Sequence, residues 1–281
     1  MLTANGVAEV QIRGVGVGAV GLVDAESGTV RAAPNLGWAD VPLRAMLGDS
    51  LGWPVVVRNN VHGMAAGEVR FAGVPEQDAV YLYVGTGIGS GIIMGGRVHE
   101  GVHGAAGELG HLLVPDGGPC TCGKVGCLET IAAEPAIVRR ADELLGDSLP
   151  RGAFKPAVTR LVELAQQGHN LAGDYLAQVA DSLGLALAQV VEIVDPGAVI
   201  VNGIVAEAGG IFLEPLAAAL HRSAFAARGQ SVAVRAARFG RQAGMIGAAT
   251  LALDEYVYQP RADLFAQRSI ERQALTRARR A

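Results

Sequence analysis

Three cysteines fall within eight residues, in the run Gly117-Gly118-Pro119-Cys120-Thr121-Cys122-Gly123-Lys124-Val125-Gly126-Cys127. A disulfide framework spreads its cysteines along a chain, whereas clustering of this kind reads as metal ligation in a reducing compartment. Three thiolates satisfy three corners of a tetrahedron, and zinc wants a fourth nitrogen or sulfur donor. The nearest candidate is His111, nine residues before Cys120. A Cys3His set leaves no open coordination position, so the zinc site at His111, Cys120, Cys122 and Cys127 reads as structural; the bland alternative is a group of free buried thiols. Glycines at 117, 118, 123 and 126 let the backbone fold tightly around a small ion.

Other groups with chemical reach stand nearby or at turns. Glu108 precedes His111 by three residues, and Glu129 follows Cys127 by two. Two amides, Asn59 and Asn60, open a run continuing Val61-His62. A glycine-rich segment, Gly85-Thr86-Gly87-Ile88-Gly89-Ser90-Gly91, follows a strand, and its glycines are read first as serving backbone packing.

The elements that must position these groups alternate strand and helix. Val10 to Val17 reads as a strand entering a glycine turn, Val55 to Val57 as a buried strand, and Val61 to Phe71 as a helix. Val80 to Val84 is a strand ending in the glycine run, and Ile92 to Met94 resumes strand character before a Gly95-Gly96 hairpin. Beyond the cysteines, Leu128 to Leu145 and Leu171 to Val194 have helical spacing, the second stopped by Asp195-Pro196-Gly197. Ala198 to Val201 and Val232 to Arg238 read as strands, Phe212 to His221 and Met245 to Tyr256 as helices. That order predicts a mixed α/β sheet covered by helices.

The chain's 281 residues are half hydrophobic and 18% charged, which excludes general disorder. A net charge of −4 argues against wrapping nucleic acid along the whole surface. Met1 leads into Leu2-Thr3-Ala4-Asn5 without a cationic segment, and apolar runs break well short of about 20 residues, so a soluble cytoplasmic protein is expected and no membrane partner. Residues 259–281 carry six arginines and little to build a core; they read as a solvated tail, with a nucleic-acid contact as the minority reading.

Glu108-Leu109-Gly110-His111 ahead of the Cys-x-Cys-Gly-x-x-Gly-Cys-x-Glu loop resembles the ROK family of repressors and sugar kinases, over roughly residues 12–255. The resemblance implies a two-lobed, actin-like (ribonuclease H-like) α/β fold with a sugar between the lobes. It implies sugar contacts from Asn59, Asn60, Glu108, His111 and Glu129, and zinc at His111 and the three cysteines. It places a phosphate loop at Gly85, Thr86, Gly87 and Gly89. It also sets lobe boundaries: 1–75 with 244–258 packing back on it, then 76–243, then the tail.

The departures decide the branch. Family kinases carry Asn-Asp-Ala-Asn at the sugar turn, where the aspartate takes the proton from the attacking hydroxyl; here the run is Asn59-Asn60-Val61-His62. An amide has no usable proton acceptor, and general-base assistance is worth about 10²- to 10⁴-fold. His62, two residues on, is the remote substitute. The kinases' opening Asp-x-Gly-x-Thr motif does not occur before Gly14, and the glycine pair that meets adenosine appears as Asn202-Gly203. The glycine run is then vestigial, and neither ATP nor magnesium is expected. Asn-Asn with Met64 on the following helix resembles the regulator branch, sugar-responsive repressors that bear a winged helix-turn-helix.

The expectation is a sugar-sensing effector domain, inactive as a kinase, whose first lobe is incomplete. DNA would be read only through a helix-turn-helix absent from this chain, and the family resemblance favours a homodimer or homotetramer. The competing readings are an active hexose kinase and a ligand-free remnant. Which sugar fits depends on loops such as Asn35-Leu36-Gly37-Trp38.

Overall fold

A computed structural model describes Gly6 and residues 11–225 and 232–258. The arginine-rich tail, and Val10 at the start of the first expected strand, lie outside the described residues.

The first strand, β1 (Val15–Ala19), pairs in parallel with β5 (Val55–Asn59), and between them β2 (Leu22–Asp24), β3 (Thr29–Ala33) and β4 (Trp38–Val41) form an antiparallel meander. Helix α1 (Leu43–Leu51) returns the chain to β5. Val23, Val30, Val55 and Val57 bury their side chains together, giving this part its own small core.

The second sheet has five strands: β6 (Ala79–Val84), β7 (Ile88–Met94), β8 (Arg97–His99), β9 (Ala198–Gly203) and β10 (Ala233–Ala236), in the spatial order β10-β9-β6-β7-β8. β6, β9 and β10 run parallel, while β7 and β8 are antiparallel additions. Both faces of β6 are covered, as its near-continuous apolar sequence requires. Val80, Leu82 and Val84 pack with helices α3 (Glu129–Ala132), α4 (Glu134–Leu145), α5 (Phe154–Gln166), α6 (Asn170–Val194) and α7 (Gly210–Ser223) in the largest core. Ala79 and Tyr81 face the other way, onto Val61, Met64 and Ala65 of α2 (Asn60–Phe71). Helix α8 (Ala243–Leu253) lies between the two parts, packed on both α2 and β1. At 25 residues, α6 is long and apolar enough to cross a membrane by composition, but Leu176, Leu183 and Leu187 are wholly buried in this core.

Several expectations shift. The helix expected over 128–145 is broken at Ala133, because Pro135 in the first turn of α4 has no N–H to continue the ladder from α3. The glycine run 85–91 is half loop and half strand: only 85–87 turn, and Gly89 and Gly91 lie inside β7. A Cβ on Gly91 would stand 2.6 Å from that of Ala65, and one on Gly89 2.7 Å from Val61, so those glycines let α2 rest on the sheet. The meander β2–β4 and helices α1 and α5 are elements the periodicity did not reveal.

Candidate functional site

The turn from β5 into α2 is built by one side chain. Asn59 is the N-cap: its Oδ1 accepts from the N–H groups of Val61 at 2.8 Å and His62 at 3.2 Å, satisfying two otherwise orphaned donors. Its Nδ2 donates to the Gly21 carbonyl at 3.0 Å, tying α2 to the loop after β1. One amide hydrogen is left for a ligand. Asn60, the first residue of α2, faces the cleft, and among the described residues no group is hydrogen-bonded to its side chain.

His62 is buried, with Nε2 2.9 Å from the Ala106 carbonyl. A carbonyl only accepts, so Nε2 carries the proton. That bond pins the loop 100–108 against α2. Gly107, at φ +84°, is held from the other side by Ser90, whose hydroxyl donates to its carbonyl at 2.7 Å. Glu108 follows, half exposed, at the head of a short 3-10 turn through His111.

His111 faces two ways. Nδ1 lies 3.7 Å from the Cys120 sulfur and 3.7 Å from Oε1 of Glu129, while Nε2 lies 3.9 Å from Oε2 of Glu108. Cys122 and Cys127 are 3.6 Å apart at sulfur. One donor atom from each of His111, Cys120, Cys122 and Cys127 falls within 4.8 Å of all the others, a spacing that suits a single tetrahedral ion. Isolated β-bridges between Leu113 and Cys127 and between Pro119 and Val125 draw the loop closed. Without metal, burial and the hydrogen bond to Glu129 push the Cys120 thiol up to about 12, and burial raises Cys127. The Lys124 backbone N–H lowers Cys122.

These pieces line one cleft of about 160 Å³, between the meander on one side and the five-stranded sheet with the cysteine loop on the other. Asn59, Asn60, Glu108, His111 and Glu129 are all in its wall. So are Thr86, Gly87 and Gly89, whereas Gly85 is tied away, its N–H bonded to the Gly87 carbonyl and its own carbonyl accepting from Glu134 N–H at 2.8 Å. Asn35, from the loop singled out for selectivity, also reaches the wall. Two carboxylates, three amides and two imidazoles around a small polar space suit a polyhydroxyl ligand. The anchoring of loop 100–108 by His62 and Ser90 was missed in the sequence, because both bonds go to backbone carbonyls distant along the chain and leave no spacing signature.

The ROK family model matches residues 3–255. The chain is 36% identical over 258 residues to a glucokinase of Streptomyces coelicolor, covering 86% of this chain and 80% of that one. It is 32% identical over 261 residues to a putative xylose repressor of Caldicellulosiruptor sp., covering 89% of this chain but only 64% of the repressor's length. Among solved structures, the ROK glucokinase of Streptomyces griseus in complex with glucose and AMPPNP superposes with TM-score 0.80 at 35% identity, covering 90% and 84% of the two chains. A ROK transcriptional regulator, a homologue of the E. coli MLC protein, superposes at 0.77 with 28% identity, covering 89% and 64%. Sugar kinases and repressors therefore stand about equally near in sequence and fold. The chain belongs to the ROK family.

Proposed function

We propose that this chain is the sugar-sensing effector domain of a ROK-type transcriptional regulator and transfers no phosphoryl group. The observation that carries the reading is Asn60. Its neutral amide faces the cleft where a sugar hydroxyl would need a proton acceptor, and the buried His62 holds its Nε2 proton against the Ala106 carbonyl. The carboxylates of the cleft wall, Glu108 and Glu129, flank His111 beside the cysteine loop. They are suited to accept hydroxyl hydrogens from the ring. The free amide hydrogen of Asn59 and Nε2 of His111 complete the set.

Zinc, held by His111, Cys120, Cys122 and Cys127, would be structural, fixing the imidazole so that its second nitrogen points into the cleft. Sugar bound between the two halves would favour the closed arrangement and so bias a two-state equilibrium. DNA contact, assembly as a homodimer or homotetramer and a cytoplasmic setting belong to the same proposal; the three closely spaced thiols favour a reducing compartment.

The test is calorimetric titration of zinc-loaded protein with glucose, xylose and N-acetylglucosamine. One of them is expected to bind at micromolar to millimolar concentration; silence from all three at millimolar concentration would end the sensing proposal. The second reading, a sugar kinase, is favoured by the 36% identity to a glucokinase and by the glycine turn at Thr86–Gly87 in the cleft wall.

A further inference from the structure

A second, larger cavity of about 740 Å³ lies along a different stretch of α2. His62, Ala66, Val69 and Arg70, spaced as one helical face, form its floor. The segment from Arg97 to Glu100 and the chain just after α8, at Asp254 and Glu255, form its walls. His62 lines this cavity and the sugar cleft alike.

The charges inside are unevenly matched. Arg58 enters from the end of β5 with its side chain 13% exposed, and two carboxylates share it: Oε1 of Glu100 at 3.2 Å from Nε and Oε2 of Glu255 at 3.6 Å. Arg70 pairs with Asp254 and stacks on the Tyr258 ring, 4.3 Å from its centroid. Arg97 is exposed at the rim, its side chain without a hydrogen bond or ion pair among the described residues. One wall thus offers an unmatched guanidinium, suited to carboxylate or phosphate oxygens. The other offers the Glu100 carboxylate, whose side chain is 31% exposed and has lone pairs for hydroxyl hydrogens.

We propose that this cavity is a second ligand site for a small anion carrying a polyhydroxyl chain, and that its occupation is coupled to the sugar cleft. The anionic group would sit on Arg97 and the hydroxyls on Glu100. The coupling path is short. The Ala106 N–H donates to the Glu100 carbonyl at 3.1 Å, and the Ala106 carbonyl accepts from His62 at 2.9 Å. Gly107 and Glu108, the next two residues, are in the cleft wall. A ligand that draws Glu100 away from Arg58 moves the segment that places Glu108, and by linkage a sugar on Glu108 alters the second site equally. Only the coupling rests on the sugar-binding proposal above; occupation of the cavity does not.

The experiment is calorimetric titration of gluconate and of glucose 6-phosphate, separately, into zinc-loaded wild type, Arg97→Gln and Glu108→Gln. Binding is expected in wild type, weakened about tenfold or more by Arg97→Gln and unchanged by Glu108→Gln. The tighter of the two anions tells a sugar acid from a sugar phosphate. Bound anion is expected to shift the wild-type sugar Kd by about fivefold. Absence of binding by both anions, or a loss with Glu108→Gln equal to that with Arg97→Gln, overturns the site. Arg97-dependent binding that leaves the sugar titration unmoved overturns the coupling. If no sugar binds at all, the anion titration still reads the second site by itself.

Discussion

The Cys120 thiol donates a 2.9 Å hydrogen bond to Oε1 of Glu129, so the cysteine loop and the cleft wall meet in one contact. A metal-bound Cys120 is a thiolate with no proton to give, which frees that carboxylate oxygen for the cleft. If zinc is held there as proposed, chelating it is expected to weaken sugar binding about 10- to 100-fold and to loosen residues 108–129. Titration before and after dialysis against a chelator, with hydrogen exchange over that segment, reads both. Unchanged affinity in the stripped protein would separate metal from pocket.

Asn59 both caps α2 and reaches Gly21. Replacing it with alanine is expected to cost about 0.5–2 kcal/mol, read as a lower urea midpoint. Asn59→Ser keeps a capping acceptor and loses the donor to Gly21, so it is expected to recover most of that stability. Equal losses from both variants would mean the Gly21 link, rather than the cap, holds the turn.

Gly107 is the hinge of the Glu108 loop. Its φ of +84° is one that residues with a Cβ avoid, and a Cβ there would stand 2.6 Å from the Ser90 carbonyl oxygen. Gly107→Ala is expected to displace Glu108 and weaken sugar binding about tenfold or more, read by calorimetric titration. Sugar affinity within twofold of wild type would mean that Glu108 lies outside the contact set.

Glu68, on α2, is 3% exposed; its Oε1 accepts from the Arg238 N–H at 2.7 Å, and its Oε2 is buried without a partner among the described residues. Burial raises its pKa. A carboxyl whose folded value is raised contributes stability that is complete below its unfolded pKa and fades as pH rises through the folded one. Glu68→Gln keeps an acceptor and removes the charge. It is expected to be near neutral in effect at about pH 4 and to stabilise by about 1–3 kcal/mol at about pH 8. Denaturant melts at the two pH values check this; a stabilisation independent of pH contradicts it.

Where apolar residues repeat over a long stretch, the elements could be read directly: α6 and the buried strands β6 and β9 lie close to their expected ranges. The meander β2–β4 escaped because its strands are three to five residues long and carry Asp24, Arg31 and Asp40 on open faces. Such pieces are strands only because they pair with each other. Gly89 and Gly91 misled in the opposite direction. Glycine usually marks a loop, but here its missing side chain is what lets α2 lie on β7. The candidate site residues were easier to gather, since the cysteine cluster and the groups beside it follow short, glycine-punctuated spacings. The contacts that orient them, from His62 to Ala106 and from Ser90 to Gly107, depend on chain segments brought together only by the fold.

The central claim is that sugar binds beside an amide that cannot remove a proton. A coupled phosphoryl-transfer assay tests it most directly, with ATP, magnesium and each of glucose, xylose and N-acetylglucosamine at saturating concentration. The account predicts no turnover above the protein-free background. Steady turnover of any one sugar, carried by the purified zinc-loaded chain, would contradict it.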